Sequence, residues 1–126
     1  MRANVWLLVG ALMLAACSDG GTGPSGGSLN VYLTTPNSDD GAVLFTITGA
    51  PVDSVVGVND QIYSARSGPN TLQVIATGNL QNGAVARIYV ADIRLTAKYS
   101  GAIQQVAARG VYVQRDVAPY SLRVAP

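Results

Sequence analysis

From Leu29 to the C-terminus, apolar and polar residues alternate with a period of two, and turn residues interrupt them every eight to twelve positions. Half-buried antiparallel strands have this pattern, because successive side chains leave opposite faces of a pleated strand. Leu29, Val31 and Leu33 form the core side of a first strand whose other side carries Asn30, Tyr32 and Thr34. It stops in Thr35-Pro36-Asn37-Ser38-Asp39-Asp40-Gly41, where Pro and Gly interrupt pairing and Asn and Asp bond their own backbone. Val43, Phe45 and Ile47 mark the core face of a second strand, closed by Gly49-Ala50-Pro51.

Segments 52–58 and 61–65 flank Asn59-Asp60, which predicts a two-residue hairpin turn. Ser67-Gly68-Pro69-Asn70 precedes a strand with Leu72, Val74 and Ala76 on one side, and Asn82-Gly83 is a further turn signal because both residues tolerate positive φ. Segment 84–91 is apolar on both faces apart from Arg87, which predicts a central strand covered from two sides. Segments 103–107, 111–114 and 120–124 complete the set. The one helical possibility is 91–97, but its β-branched residues and Gly101 predict a bent loop instead. Eight or nine short strands without an internal repeat predict an all-β fold: a small antiparallel β-sandwich, Ig-like or cohesin-like (jelly-roll), occupying residues 29–126.

The N-terminus follows a different pattern. Arg2 precedes a twelve-residue apolar run, 5–16, broken only by Gly10, and Leu14-Ala15-Ala16-Cys17 follows at its end. A charged start, an apolar middle and small residues before a cleavage point mark a secretion signal, and the run is shorter than the about 20 apolar residues a spanning helix needs. Leu14-Ala15-Ala16-Cys17 resembles the lipobox of bacterial lipoproteins. The resemblance implies that residues 1–16 are removed, that the Cys17 thiol carries a diacylglycerol, and that the protein is lipid-anchored in the cell envelope. Two or more acyl chains give stable anchoring where one gives only marginal binding. Ser18 rather than Asp follows the Cys, which by the same resemblance favours the outer membrane. Residues 17–28 then read as the lipidated Cys and a Gly/Ser-rich linker, five of the eleven residues in 18–28 being Gly.

A second resemblance lies within the domain. Segment 72–90, with its alternating apolar strand, Asn82-Gly83 turn and following strand, and then Tyr99 and Ile103, is similar to the second half of cohesin-type sandwiches. It implies a jelly-roll-like sandwich with an interaction role and transfers no binding residue.

Composition narrows the chemistry. There is no His, the only Cys is Cys17, and all seven acidic residues are Asp. A Ser-His-Asp triad, a Cys-His pair, a His or Cys zinc site and a Glu-based acid–base pair are therefore unbuildable, so the expectation is no enzyme, no cofactor and no metal. Without Arg2 the charges balance at seven against seven, which argues against nucleic acid and against a polybasic membrane contact.

Three constellations remain. Asn37-Ser38-Asp39-Asp40-Gly41 has oxygen ligands for calcium but lacks the full loop order and any Glu, so it reads as a turn. Tyr32, Tyr63 and Tyr89 are the candidate ligand contacts: in a row on an exposed sheet they would stack on sugars, although tyrosine is also an ordinary strand residue. Lys98 beside Tyr99 and Ser100 has the residue types of a Ser-Lys pair without its spacing. The six arginines beyond Arg2 are scattered and read as solvated strand positions that blunt sheet edges. The expected function is a membrane-anchored lipoprotein with a non-catalytic interaction or structural module. Its partner is an envelope or surface protein, with polysaccharide binding as the alternative.

Overall fold

Alternation gives each strand one apolar side, and the chain buries those sides by stacking two sheets. The computed structural model describes residues 25–126; the expected signal 1–16, Cys17 and the linker up to residue 24 lie outside the described residues. Nine strands follow in order: β1 (Gly27–Thr34), β2 (Asp40–Thr48), β3 (Ser54–Gly57), β4 (Gln61–Gly68), β5 (Thr71–Leu80), β6 (Gly83–Val90), β7 (Ser100–Ala108), β8 (Gln114–Arg115) and β9 (Ser121–Ala125). They form a four-stranded sheet, β3-β6-β1-β9, and a five-stranded sheet, β4-β5-β2-β7-β8, antiparallel throughout. The fold is a small all-β sandwich.

The core is the one the alternation marks. Leu29, Val31 and Leu33 from β1 meet Val43, Phe45 and Ile47 from β2 and Leu72, Val74 and Ala76 from β5, all buried. Removing such side chains from water is the main stabilising term, about 1.5–3 kcal/mol for each large one.

Five local expectations are corrected. Asn59-Asp60 does not close a hairpin: β3 pairs with β6 and β4 with β5, so the turn carries the chain from one sheet to the other. Strand β6 is central in its sheet but covered on one side only, since Arg87 and Tyr89 face solvent. Segment 111–114 is not a strand: only Gln114–Arg115 pair, because Gly110 (φ 88°) and Tyr112 (φ 53°) turn the backbone out of the extended region. The expected bent loop is a 3₁₀-helix, Ile93–Lys98, started by Asp92, whose side chain accepts from the Arg94 N–H. Finally, β1 begins at Gly27, inside the Gly/Ser-rich stretch, because Gly27 pairs with Val90 and the Ile93 side chain packs where a Gly27 Cβ would lie.

The registers define two ends. Gly27, Thr48, Thr71 and Ser100 lie at the end that carries the 3₁₀-helix; Leu33, Asp40, Leu80, Gly83 and Ala108 lie at the other. Ser25 is held at the first end, its carbonyl accepting from the Ile93 N–H at 2.8 Å. Gly49, in the loop after β2, sits at φ 112°, and any Cβ there would strike the Lys98 carbonyl. Among the described residues no helix is long and apolar enough to cross a membrane.

Candidate functional site

The outer face of the five-stranded sheet carries no charge. Its strands contain three charged residues, Asp40, Arg66 and Arg115, and the register turns each away from that face. Arg66 pairs with buried Leu72 and donates to the carbonyls of Val52 and Asp53 across the gap to the other sheet. Asp40 is wholly buried, and Arg115 pairs with buried Val106 and turns to Asp39 and Asp40.

What the face does carry is uncharged: Thr46, Gln73, Thr77 and Gln105 are interleaved with apolar and aromatic side chains. Tyr63 of β4 pairs with Ile75 of β5, Ile75 with Leu44 of β2, and Leu44 with Gln105 of β7, so these side chains form one ladder across four strands. Neighbouring strands lie about 4.8 Å apart, which makes the ladder roughly 14 Å from end to end. Two shallow hollows share Leu44 and Ile75. One, about 260 Å³, is bordered by Tyr112 and Gln105, and the other, about 170 Å³, by Tyr63 and Gln73. Tyr63 is 59% exposed, its hydroxyl donating to Gln61 Oε1 at 3.3 Å.

The loop after β7 raises one rim of this face. Val111, Tyr112 and Val113 are three consecutive large apolar residues with 73%, 65% and 61% of their surface open. Tyr112 adopts the left-handed conformation, which costs a residue with a Cβ about 1–2 kcal/mol. The turn is closed by N–H bonds from Tyr112 to Ala108 O and from Ala108 to Val113 O, both 2.9 Å. Arg109 braces it, donating to Asn79 Oδ1, while its own N–H bonds Asp39 O at 2.6 Å.

Beyond Tyr112 the surface turns polar over the end of the sandwich. A hollow bordered by Tyr112, Gln61, Thr77 and Asp60 leads to another of about 380 Å³ bordered by Asp60, Asn79, Gln81 and Asn82. Burial pushes the Asp60 carboxyl up from its usual range, and Oδ2 has no hydrogen-bond partner while Oδ1 accepts from the Val58 N–H at 2.9 Å.

The structure does not bring the three predicted tyrosines into one row. Tyr63 lies on the five-stranded sheet, whereas Tyr32 (β1) and Tyr89 (β6) share the outer face of the four-stranded sheet. Tyr89 pairs with Ser28, four residues from Tyr32, so those two stand about 13 Å apart along the strands. The Arg123 guanidinium covers the Tyr32 ring at 4.7 Å, and the Tyr32 hydroxyl donates to Pro126 O at 3.2 Å. Its ring is therefore occupied.

The predicted turn at 37–41 is an ion-pair clasp. Arg115 Nη1 meets Asp39 Oδ1 at 2.7 Å and Asp40 Oδ1 at 2.8 Å. Asp40 also accepts from the Thr35 hydroxyl at 2.5 Å and the Tyr120 hydroxyl at 2.8 Å, and Tyr120 in turn accepts from Asn37 Nδ2 at 2.7 Å. Hydrogen bonding from Arg115 holds the Asp39 carboxyl below the usual carboxylate range, and bonding to Asp39 pushes Arg115 up. The oxygens a cation would need are thus engaged by an arginine, and among the described residues no group of three or more His, Cys, Asp or Glu is gathered around a common point. Ser100 Oγ lies 3.1 Å from Thr48 Oγ1 and is bonded there rather than to Lys98.

Sequence reasoning missed Leu44, Ile75 and Tyr112. A signal existed for two of them: Leu44 stands between Val43 and Phe45, and Ile75 between Val74 and Ala76, each apolar at an out-of-phase position. No family model, curated protein or solved structure matches the chain.

Proposed function

We propose that this chain is a cell-envelope lipoprotein, held to a membrane through a diacylglycerol on Cys17. Its sandwich acts as a non-catalytic interaction module whose docking surface is the outer face of the five-stranded sheet. The observation that carries the module reading is the absence of charge on a face that exposes Tyr63, Ile75 and Tyr112. Soluble domains rarely leave apolar surface contiguous and open unless something covers it. The anchor reading rests on Leu14-Ala15-Ala16-Cys17, with Ser18 favouring the outer membrane. The geometry supports the pairing of anchor and module: Ser25 joins the domain beside the 3₁₀-helix, at the end opposite the 109–113 loop. Strands of eight residues separate those ends by about 26 Å, so the rim of the face lies about that far from the point where Ser25 enters the domain.

Two measurements test this. Full-length protein expressed in its host should fractionate with membranes, and Cys17→Ser should move it to the soluble fraction; an unchanged distribution rejects the anchor. A photo-crosslinking side chain at Gln73, on the five-stranded sheet, should give adducts in intact cells, and one at Val56, on the four-stranded sheet, should give none. Equal adducts from both positions, or none from Gln73, reject the docking face.

A further inference from the structure

We propose that the ligand of this face is a neutral oligosaccharide seated over the two hollows that Tyr63 and Tyr112 border. The inference rests on the docking face proposed above and specifies what covers it.

Charge is the first argument. An acidic glycan, a phosphate-bearing lipid or an acidic peptide would bring buried negative charge to a face with no cation to meet it, which is costly. A basic partner fares no better, because no carboxylate lies along the ladder or in its two hollows; Asp60 lies beyond Tyr112, over the end of the sandwich. Only an uncharged ligand matches.

Size is the second. Four strands about 4.8 Å apart and about 30 Å long present on the order of 600 Å². That is at the small end of what each partner of a stable protein complex covers, typically about 800 Å², and such complexes are anchored by Trp, Tyr and Arg, of which this face has only Tyr. The hollows are shallow and linked through Leu44 and Ile75 instead of forming one enclosed cavity, so they fit a chain of small units better than one compact molecule.

Chemistry is the third. A sugar ring has an apolar face and a rim of hydroxyls that both donate and accept. Tyr63 presents an open ring at one end of the ladder and Tyr112 another at the rim of the face, and Gln73 and Gln105 border the two hollows with amides that also donate and accept. Tyr112 holds its place against an unfavourable backbone conformation, the kind of local cost that accumulates at ligand-binding positions.

The test is calorimetric titration of the full-length chain in detergent micelles with cellohexaose, maltohexaose, mannohexaose and the hexamer of N-acetylglucosamine, and with hexagalacturonate as the acidic counterpart. At least one neutral hexamer should bind, hexagalacturonate should not, and the affinity should not change between low and high salt. Tyr63→Ala and Tyr112→Ala should each weaken binding about tenfold or more, the loss typical of a central contact, while Tyr89→Ala leaves it unchanged. Both tyrosines are exposed, so far-ultraviolet circular dichroism should report an intact fold. Silence of all four neutral hexamers at millimolar concentration, preference for hexagalacturonate, or equal loss from Tyr89→Ala overturns the proposal. Silence together with protein adducts at Gln73 in cells would leave the docking face standing with a protein as its partner; silence with no adducts would remove both.

Discussion

The two outer faces of this sandwich are built from the same strand geometry and end in opposite states. On the four-stranded sheet Arg87 and Arg123 face solvent, and Arg123 lies over Tyr32, whose hydroxyl is tied to Pro126. On the five-stranded sheet the charged residues turn inward or to the edge, and exposed Tyr63 and Ile75 line up with half-buried Leu44. The Tyr32 ring on the first face is already partnered by the protein itself, whereas the Tyr63 ring on the second is open to a ligand. Tyrosine in a strand is therefore informative only once the neighbours across the ladder are known.

The sharpest way to break this contrast is to remove the clasp beside the second face. Arg115→Leu leaves Asp40 buried without its cation, with only the Thr35 and Tyr120 hydroxyls to bond it, so it should destabilise the domain. Denaturant melts should show a clear fall in stability, while Arg87→Leu on the other face should change stability by less than about 0.5 kcal/mol. Equal effects would mean that Arg115 is only another surface arginine.

A smaller effect of opposite sign is expected at Tyr112. Asn tolerates the left-handed conformation, so Tyr112→Asn should stabilise the domain by about 1 kcal/mol while weakening whatever the face binds. A variant that is both less stable and equally competent to bind would show that the loop serves packing. On the other face, Arg123→Ala removes an exposed cation–π contact and should cost about 0.5–1 kcal/mol without touching ligand binding.

The smallest effect concerns pH. Hydrogen bonding from Arg94 holds the Asp92 carboxyl at about 2, below the usual 3.8, so the unfolded state binds this proton more tightly than the folded one. The stabilising contribution is present in full above the ordinary carboxylate range and disappears as pH falls through about 2. Comparison of melting temperatures for wild type and Asp92→Asn should show a gap at pH 6 that closes by pH 2. Because the group is exposed the gap should be small; a gap that widens toward pH 2 contradicts the assignment.

Much of this was written in the chain before folding. Period-two alternation marked the all-β class and the buried triplets of β1, β2 and β5, because the pleat sends alternate side chains to opposite faces and water excludes the apolar set. Composition offered no His, no Glu and a single Cys, Cys17, from which to build a site.

Other features were settled only when distant strands met. Asn59-Asp60 reads as a hairpin locally, yet the chain changes sheets there because β3 and β4 find β6 and β5 as better partners. Asp40 and Arg115 are 75 residues apart, and nothing in either neighbourhood announces their pairing. Likewise the ladder Tyr63–Ile75–Leu44 depends on the registers of three strands. Periodicity says which side of its own strand a residue occupies; it carries no information about which strand lies alongside. Pairing and register arise from the joint packing of all the strands, so the core was legible from one segment at a time and the candidate site was not.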